Sequence, residues 1–224
     1  MARNQTTAAE FVPAQRSLPT LRAAVQGCRG CDLYQNATQA VFGEGRERAH
    51  IVLVGEQPGD AEDLAGRPFV GAAGRVLDEA LAAAGIPRDE AYVTNAVKHF
   101  KYKQRGKKRI HDKPTHYQVT ACKPWLLAEL DLIRPPVLVL LGATAAQALL
   151  GTSFRVTEHR GEVLTTPYAR WTFATVHPSS VLRAPDDDTR REARAEFFAD
   201  IAAIAPYYRQ VVAAESGEPA SAPP

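Results

Sequence analysis

Three cysteines and one dense run of cations hold much of the chemistry that can be read from this chain. Two of the cysteines are spaced as Cys28-Arg29-Gly30-Cys31. Two intervening residues let both thiolates face one point, which suits metal binding or redox chemistry before a structural disulfide in a reducing compartment. A closed four-ligand site needs two more donors. Cys122 is the only other cysteine, and His99 stands near the start of the run Lys98 to Lys113, KHFKYKQRGKKRIHDK. Cys28, Cys31, His99 and Cys122 are therefore candidate metal ligands, with a buried, apolar Cys122 as the alternative. Three thiolates and an imidazole suit zinc, and an iron–sulfur cluster stays open beside it. The run itself carries eight lysines and arginines against one acid, Asp112, and a second histidine, His111. Such clustering fits DNA phosphates, with a solvated charge run as the plain alternative.

Bulk composition says less. The 224 residues carry a net charge of only +2, so a nucleic-acid reading rests on local clustering rather than on the whole chain. With 45% hydrophobic and 23% charged residues, the composition is that of a soluble globular protein. No stretch is long enough to span a membrane. The first residues, MARNQTTAAEFVPAQRS, lack the apolar core of a secretory signal. The expectation is a cytoplasmic protein without a membrane partner, and nothing demands more than a monomer.

Short apolar runs alternate with amphipathic ones. His50–Val54, Ala91–Val97, Val137–Leu141, Gly161–Thr165 and Trp171–Thr175 read as strands. Thr20–Gln26, Arg75–Ala84, Pro114–Ile133, Ala143–Leu150 and Arg190–Ile204 read as helices. This pattern predicts an α/β fold, a three-layer α/β/α sandwich with a central, mostly parallel, short sheet. Residues 1–18 read as a flexible arm, 19–212 as one domain with a basic loop at 98–113, and 213–224 as a disordered tail. Ligands of such folds bind beyond the carboxyl ends of the strands. That rule gathers GEQPG after the first strand, Asn95 and the basic loop after the second, and HPSSVLR after a late one.

Five segments in order, CRGC, GEQPGD with GRPFVG, TNAVK, ACKPWL and HPSSVLR, resemble the uracil-DNA glycosylase superfamily. Among its members the resemblance points to the iron–sulfur family 4 enzymes and, near them, to the cross-linking type called UdgX. The loop ending in KKRIH looks like the insertion, ending in Arg-Ile-His, that separates that type from ordinary family 4 enzymes. The resemblance implies a [4Fe-4S] cluster rather than zinc. Family 4 enzymes hold it with four cysteines; here the third position is His99, as in the cross-linking type.

The resemblance also implies roles. The substrate would be uracil-containing DNA, single-stranded or duplex, with the base flipped out of any stack. Phe69 matches the residue that stacks on uracil. Asn95 matches the one whose amide pairs with its O4 and N3–H. Glu62 aligns with a residue that crowds C5 against the thymine methyl. His177 matches the donor to O2 as negative charge grows there. Gln57 would line the pocket, and Arg183 would end a loop that fills the vacated stack. Lys107, Lys108 and Arg109 would pair with phosphates. His111 stands at the nucleophile position, with Glu56 as the neighbour that orients it. In an ordinary glycosylase water attacks instead.

Overall fold

The computed structural model describes residues 7–216. Along the chain run α1 (Leu18–Ala24), β1 (Glu44–Gly45), β2 (Ile51–Gly55), α2 (Asp60–Ala65) and α3 (Ala72–Ala83). Then come β3 (Ala91–Asn95), β4 (Tyr102–Arg105), β5 (Lys108–His111), α4 (His116–Ile133) and β6 (Val137–Leu141). α5 (Ala143–Leu150), β7 (Trp171–Thr175), α6 (Ser179–Leu182) and α7 (Asp187–Ser216) complete the order.

The α/β reading holds. Five strands pair in the order β1-β3-β2-β6-β7, all parallel except β1. Successive side chains of a strand point to opposite faces, and here both faces are covered. Val52, Val54, Leu138 and Leu140 face a core with α4 and α5 residues, while Ile51, Leu53, Val137 and Val139 face a core with α3 and α7. That is why these strands read as unbroken apolar runs. β2 is central: the chain leaves it for β3 on one side and reaches β6 on the other. The crevice at its carboxyl end is thus the topological switch point of the sheet, and GEQPG begins there.

Four expectations need correction. The basic stretch is a β-hairpin, β4 pairing β5 with Tyr102 opposite His111 and Arg105 opposite Lys108. Gly106, at φ +58°, supplies the left-handed backbone that the two-residue turn needs. Gly161–Thr165 is no strand; it makes only a bridge from Leu164 to Thr172, beside one from Arg160 to Ala174. The last helix is longer than Arg190–Ile204 and takes in 213–216 of the expected disordered tail; Phe197, Ile201, Ile204, Ala205 and Tyr208 continue one buried stripe along it. Residues 7–17 are not a loose arm. A 3-10 turn at Ala8–Phe11 packs on α4, Ala8 is buried, and Ser17 caps α1. Of the expected arm and tail, residues 1–6 and 217–224 lie outside the described residues.

One polar cluster lies fully inside. Lys98 and Glu129 are both 0% exposed and form an ion pair. The ammonium also donates to Thr94 Oγ1 at 2.7 Å and to the Asn95 carbonyl at 2.9 Å, which uses all three of its protons. The carboxylate accepts from Tyr92 Oη at 2.8 Å, Thr94 Oγ1 and the Gly43 N–H at 3.0 Å. The cluster binds β3, the approach to β1 and α4 to one another. Lys98→Met strands the Glu129 charge and should cost about 3–5 kcal/mol, read from the urea midpoint. Adding Glu129→Gln should restore part of it, because the remaining group is neutral. A midpoint unmoved by Lys98→Met would refute this role.

Candidate active site

A cavity of about 660 Å3 opens at the carboxyl ends of β2, β3, β6 and β7. It brings together Glu56, Gln57, Glu62, Phe69, Asn95, His111, His177 and Arg183, eight of the positions singled out in the sequence. These come from six separate parts of the chain, and the sheet is what aligns them.

His111 closes β5 and leans over the cavity. Its Nε2 lies 3.2 Å from Glu56 Oε1, with the imidazole 48% and the carboxylate 20% exposed. The other carboxylate oxygen accepts from Thr144 Oγ1, in the first turn of α5. Burial by itself would raise the Glu56 carboxyl; hydrogen bonds from His111 and Thr144 outweigh it and leave the group below its ordinary value. Glu56 is therefore an acceptor at neutral pH, with one oxygen fixed by Thr144 and the other turned to the imidazole. Thr144 escaped the sequence reading. Its signal was positional: it falls just after the apolar run VLVLL, at the same sheet edge as the other candidates.

His177 is held from behind. Its Nδ1 accepts the Ser179 N–H at 3.1 Å and lies 2.7 Å from Ser179 Oγ, which in turn accepts from Arg183. An Nδ1 that accepts puts the proton of a neutral ring on Nε2. Burial, the largest cause, and the nearby Arg183 and His111 hold His177 down to about 4, against a smaller upward pull from Glu56. The ring is thus a neutral Nε2–H donor across the neutral range. Phe69 stacks near it, ring centroids 6.1 Å apart and planes 25° from parallel. Phe69 itself sits at φ +56°, an uncommon conformation for a bulky residue and one met at binding sites. Asn95, 3% exposed, ends β3 beside them. Gly55 makes room for both: a Cβ there would lie 2.4 Å from Asn95 Oδ1 and 2.7 Å from Phe69 Cζ. No protein group among the described residues bonds the Asn95 amide, whose donor and acceptor are free for a ligand edge.

Other candidates do something different from what their residue types implied. Gln57 lines the cavity, yet its amide clamps the hairpin: Nε2 donates to the Lys101 and Asp112 carbonyls, and Oε1 accepts the Lys101 N–H, each at 3.1 Å. Glu62 accepts from Gly59 N–H at 3.0 Å and Gly71 N–H at 2.7 Å, so its carboxylate staples the two glycine-rich loops. Arg109 is not a free phosphate ligand. It bonds Asp60 and Asp63 of α2 and lies over the Phe100 and Tyr102 rings, locking the hairpin onto the body. Lys107 and Lys108 stand exposed at the turn, outside the cavity.

Cys28, Cys31, His99 and Cys122 line one small cavity of their own, roofed by Ala8. All three thiols are free. Cys28 Sγ accepts from Trp125 Nε1 at 3.2 Å and Cys122 Sγ from the Lys98 N–H at 3.3 Å, the kind of donors a metal-bound thiolate takes. Burial pushes the Cys122 thiol up to about 12 and the His99 imidazole down to about 4. Ligation there would therefore release thiol protons. Among the described residues no three His, Cys, Asp or Glu side chains are grouped as one metal ion would require. Four donors of suitable type around one cavity still fit a larger metal group. No helix is long and apolar enough to cross a membrane among the described residues.

Residues 42–202 match the uracil DNA glycosylase superfamily. The chain is similar to the type-4 uracil-DNA glycosylase of Thermotoga maritima, 39% identical over 168 residues that make up 75% of this chain and 84% of that protein. It is also similar to that of Archaeoglobus fulgidus, 38% identical over 190 residues, 81% of this chain and 90% of the relative. A third, from Pyrobaculum aerophilum, is 35% identical over 192 residues, 83% of this chain and 91% of the relative.

Burial of His177 carries a pH signature. Between its unfolded value of 6.5 and its folded value of about 4, the unfolded chain binds the proton and the folded one does not. Stability therefore falls as pH drops through that window and rises with pH within it. His177→Gln should lessen the slope of that part of a melting-temperature profile, to which the buried His99 also contributes. A variant whose profile keeps the wild-type slope from pH 6.5 to 4 would contradict the assignment.

Proposed function

Because the chain belongs to the uracil-DNA glycosylase superfamily, we propose that it excises uracil from DNA and that His111 then bonds to C1′ of the sugar. The observation that carries the second half is the His111–Glu56 pair, 3.2 Å apart over the cavity that also holds Asn95 and His177. Uracil would enter edge-on to the Asn95 amide, against Phe69. The N1–C1′ bond breaks and uracil leaves with the bonding pair. His177 Nε2–H donates to O2, where that charge gathers. C1′ is left electron-poor. The ring nitrogen of His111 that is not bonded to Glu56 supplies its lone pair and forms the N–C1′ bond. The resulting imidazolium keeps its remaining N–H on the Glu56 carboxylate, which balances the charge. One enzyme molecule would then react once.

The relatives favour a second reading, since they are named as type-4 uracil-DNA glycosylases. In it water attacks C1′, an abasic site is released, and His111 only contacts DNA. The two differ on a denaturing gel run after mixing the protein with a uracil-containing oligonucleotide. The expected result is a heat- and detergent-stable adduct of one protein per strand. His111→Ser should still release uracil but leave no adduct. Abasic product in excess over enzyme, without an adduct, would establish the turnover reading instead. Reversible, salt-sensitive binding without uracil release would defeat both.

Cys28, Cys31, His99 and Cys122 would hold a [4Fe-4S] cluster, which would tie the CRGC loop, the hairpin base and α4 together. Each iron of such a cluster takes one protein donor. Its ligands therefore stand around a body, as these four do, and need not meet at one point. Purified protein should be brown, with a band near ~400 nm, and Cys122→Ala should bleach it. A colourless protein with stoichiometric zinc would overturn the cluster.

A further inference from the structure

Four of the eight cations of the hairpin segment are already engaged. Lys98 is sealed against Glu129, Lys101 and Lys103 share Asp112, and Arg109 bridges Asp60 and Asp63. A phosphate would have to displace a carboxylate to reach them. Among the described residues the exposed Lys107 and Lys108 at the turn have no carboxylate partner, and neither do Lys113 and, in α4, Lys123. Lys113 and Lys123 line a second cavity, of about 770 Å3, between the first turns of α4 and the length of α5. Lys113 and Thr144 line this cavity and the one that holds His111 and Glu56 alike, so the two adjoin. The exposed His116 stands on the same wall as the lysines and adds an N–H donor. The α5 side adds an apolar strip, Ala148, Leu149 and Leu150, between the polar Thr144, Gln147 and Thr152.

A groove with ammonium groups on one side and hydrocarbon on the other matches a nucleotide whose phosphate and base are both free to be held. A base inside a duplex has no face to offer; an unstacked one does. We infer that this groove is the subsite for the nucleotide flanking the target in single-stranded DNA. Lys113, Lys123 and His116 hold its phosphate oxygens, and Leu149 and Leu150 support its base or sugar. The inference rests on the reading that the neighbouring cavity takes a flipped uridine.

The test separates the two. Binding of the full-length protein to a labelled single strand of thymidines, without uracil, is measured over a salt series. Wild type is compared with His116→Glu and with Lys123→Glu. His116 is exposed, so its variant carries the test even where Lys123→Glu disturbs folding, which far-UV circular dichroism reports. Each variant should bind about tenfold more weakly. The slope of log affinity against log salt should shrink by about 0.7 for each phosphate that the protein no longer neutralises. Uracil release is then measured on three strands: one with flanks on both sides of the uridine, one trimmed on its 5′ side, one on its 3′ side. The variants should lag on the full strand and match wild type on one trimmed strand. Unchanged affinity in both variants, an unchanged salt slope in Lys123→Glu, or a deficit equal on all three strands, would overturn the subsite. Failure of the wild type to release uracil from any strand would instead defeat the glycosylase reading, and the thymidine titration would still judge the groove.

Discussion

Lys98 and Glu129 meet where water reaches neither of them, and much of the molecule is arranged to make that tolerable. A buried charge is costly unless every proton and lone pair is matched. Here Tyr92, Thr94, Gly43 and the Asn95 carbonyl supply the matches, from the edge of the sheet and the strand that carries the site. One flank of this cluster ends β3 at Asn95, whose side chain faces the cavity. The other flank is His99, beside the candidate metal cavity, and the Lys98 N–H reaches Cys122. The same few residues thus seat the Asn95 amide at the cavity and two metal-ligand candidates on one rigid base.

The hairpin is held by similar means nearer the surface. Gln57 bonds to both of its ends, and Arg109 spans two aspartates of α2 while covering two aromatic rings. These interactions set His111 over Glu56. The positive charge of the segment is therefore divided. Part is turned inward, fixing the hairpin, and part stays free at the turn and along the groove beside α4. Only the free part can exchange counterions for DNA phosphates.

Chemistry in the cavity follows from which groups are charged. Glu56 stays ionised because its hydrogen bonds outweigh burial, and His177 stays neutral because burial dominates. The cavity thus sets a carboxylate beside His111 and a neutral N–H donor in the same space as Asn95. Thr144, and Ser179 within HPSSVLR, were given no role from the sequence, yet they take up the second oxygen of Glu56 and the Nδ1 of His177.

The central strands were legible because both of their faces are buried, so that hydrophobicity alone spells them out. The carboxyl-edge rule then placed Glu56, Asn95 and His177 together, since in a parallel sheet every loop at that edge converges. The hairpin was not legible in the same way: its residues are charged, and charge conceals strand alternation. Its one local sign was Gly106 between two four-residue arms. Residue type likewise could not say that Arg109 is taken up by aspartates or that Glu62 and Gln57 hold loops, because most of their partners lie far off in sequence. The sequence by itself determined the layered fold, the edge where a ligand must sit and the residue types able to act there. Only the tertiary structure decided which of them face the cavity, because hydrogen bonds between distant segments, and not composition, choose where a polar side chain points.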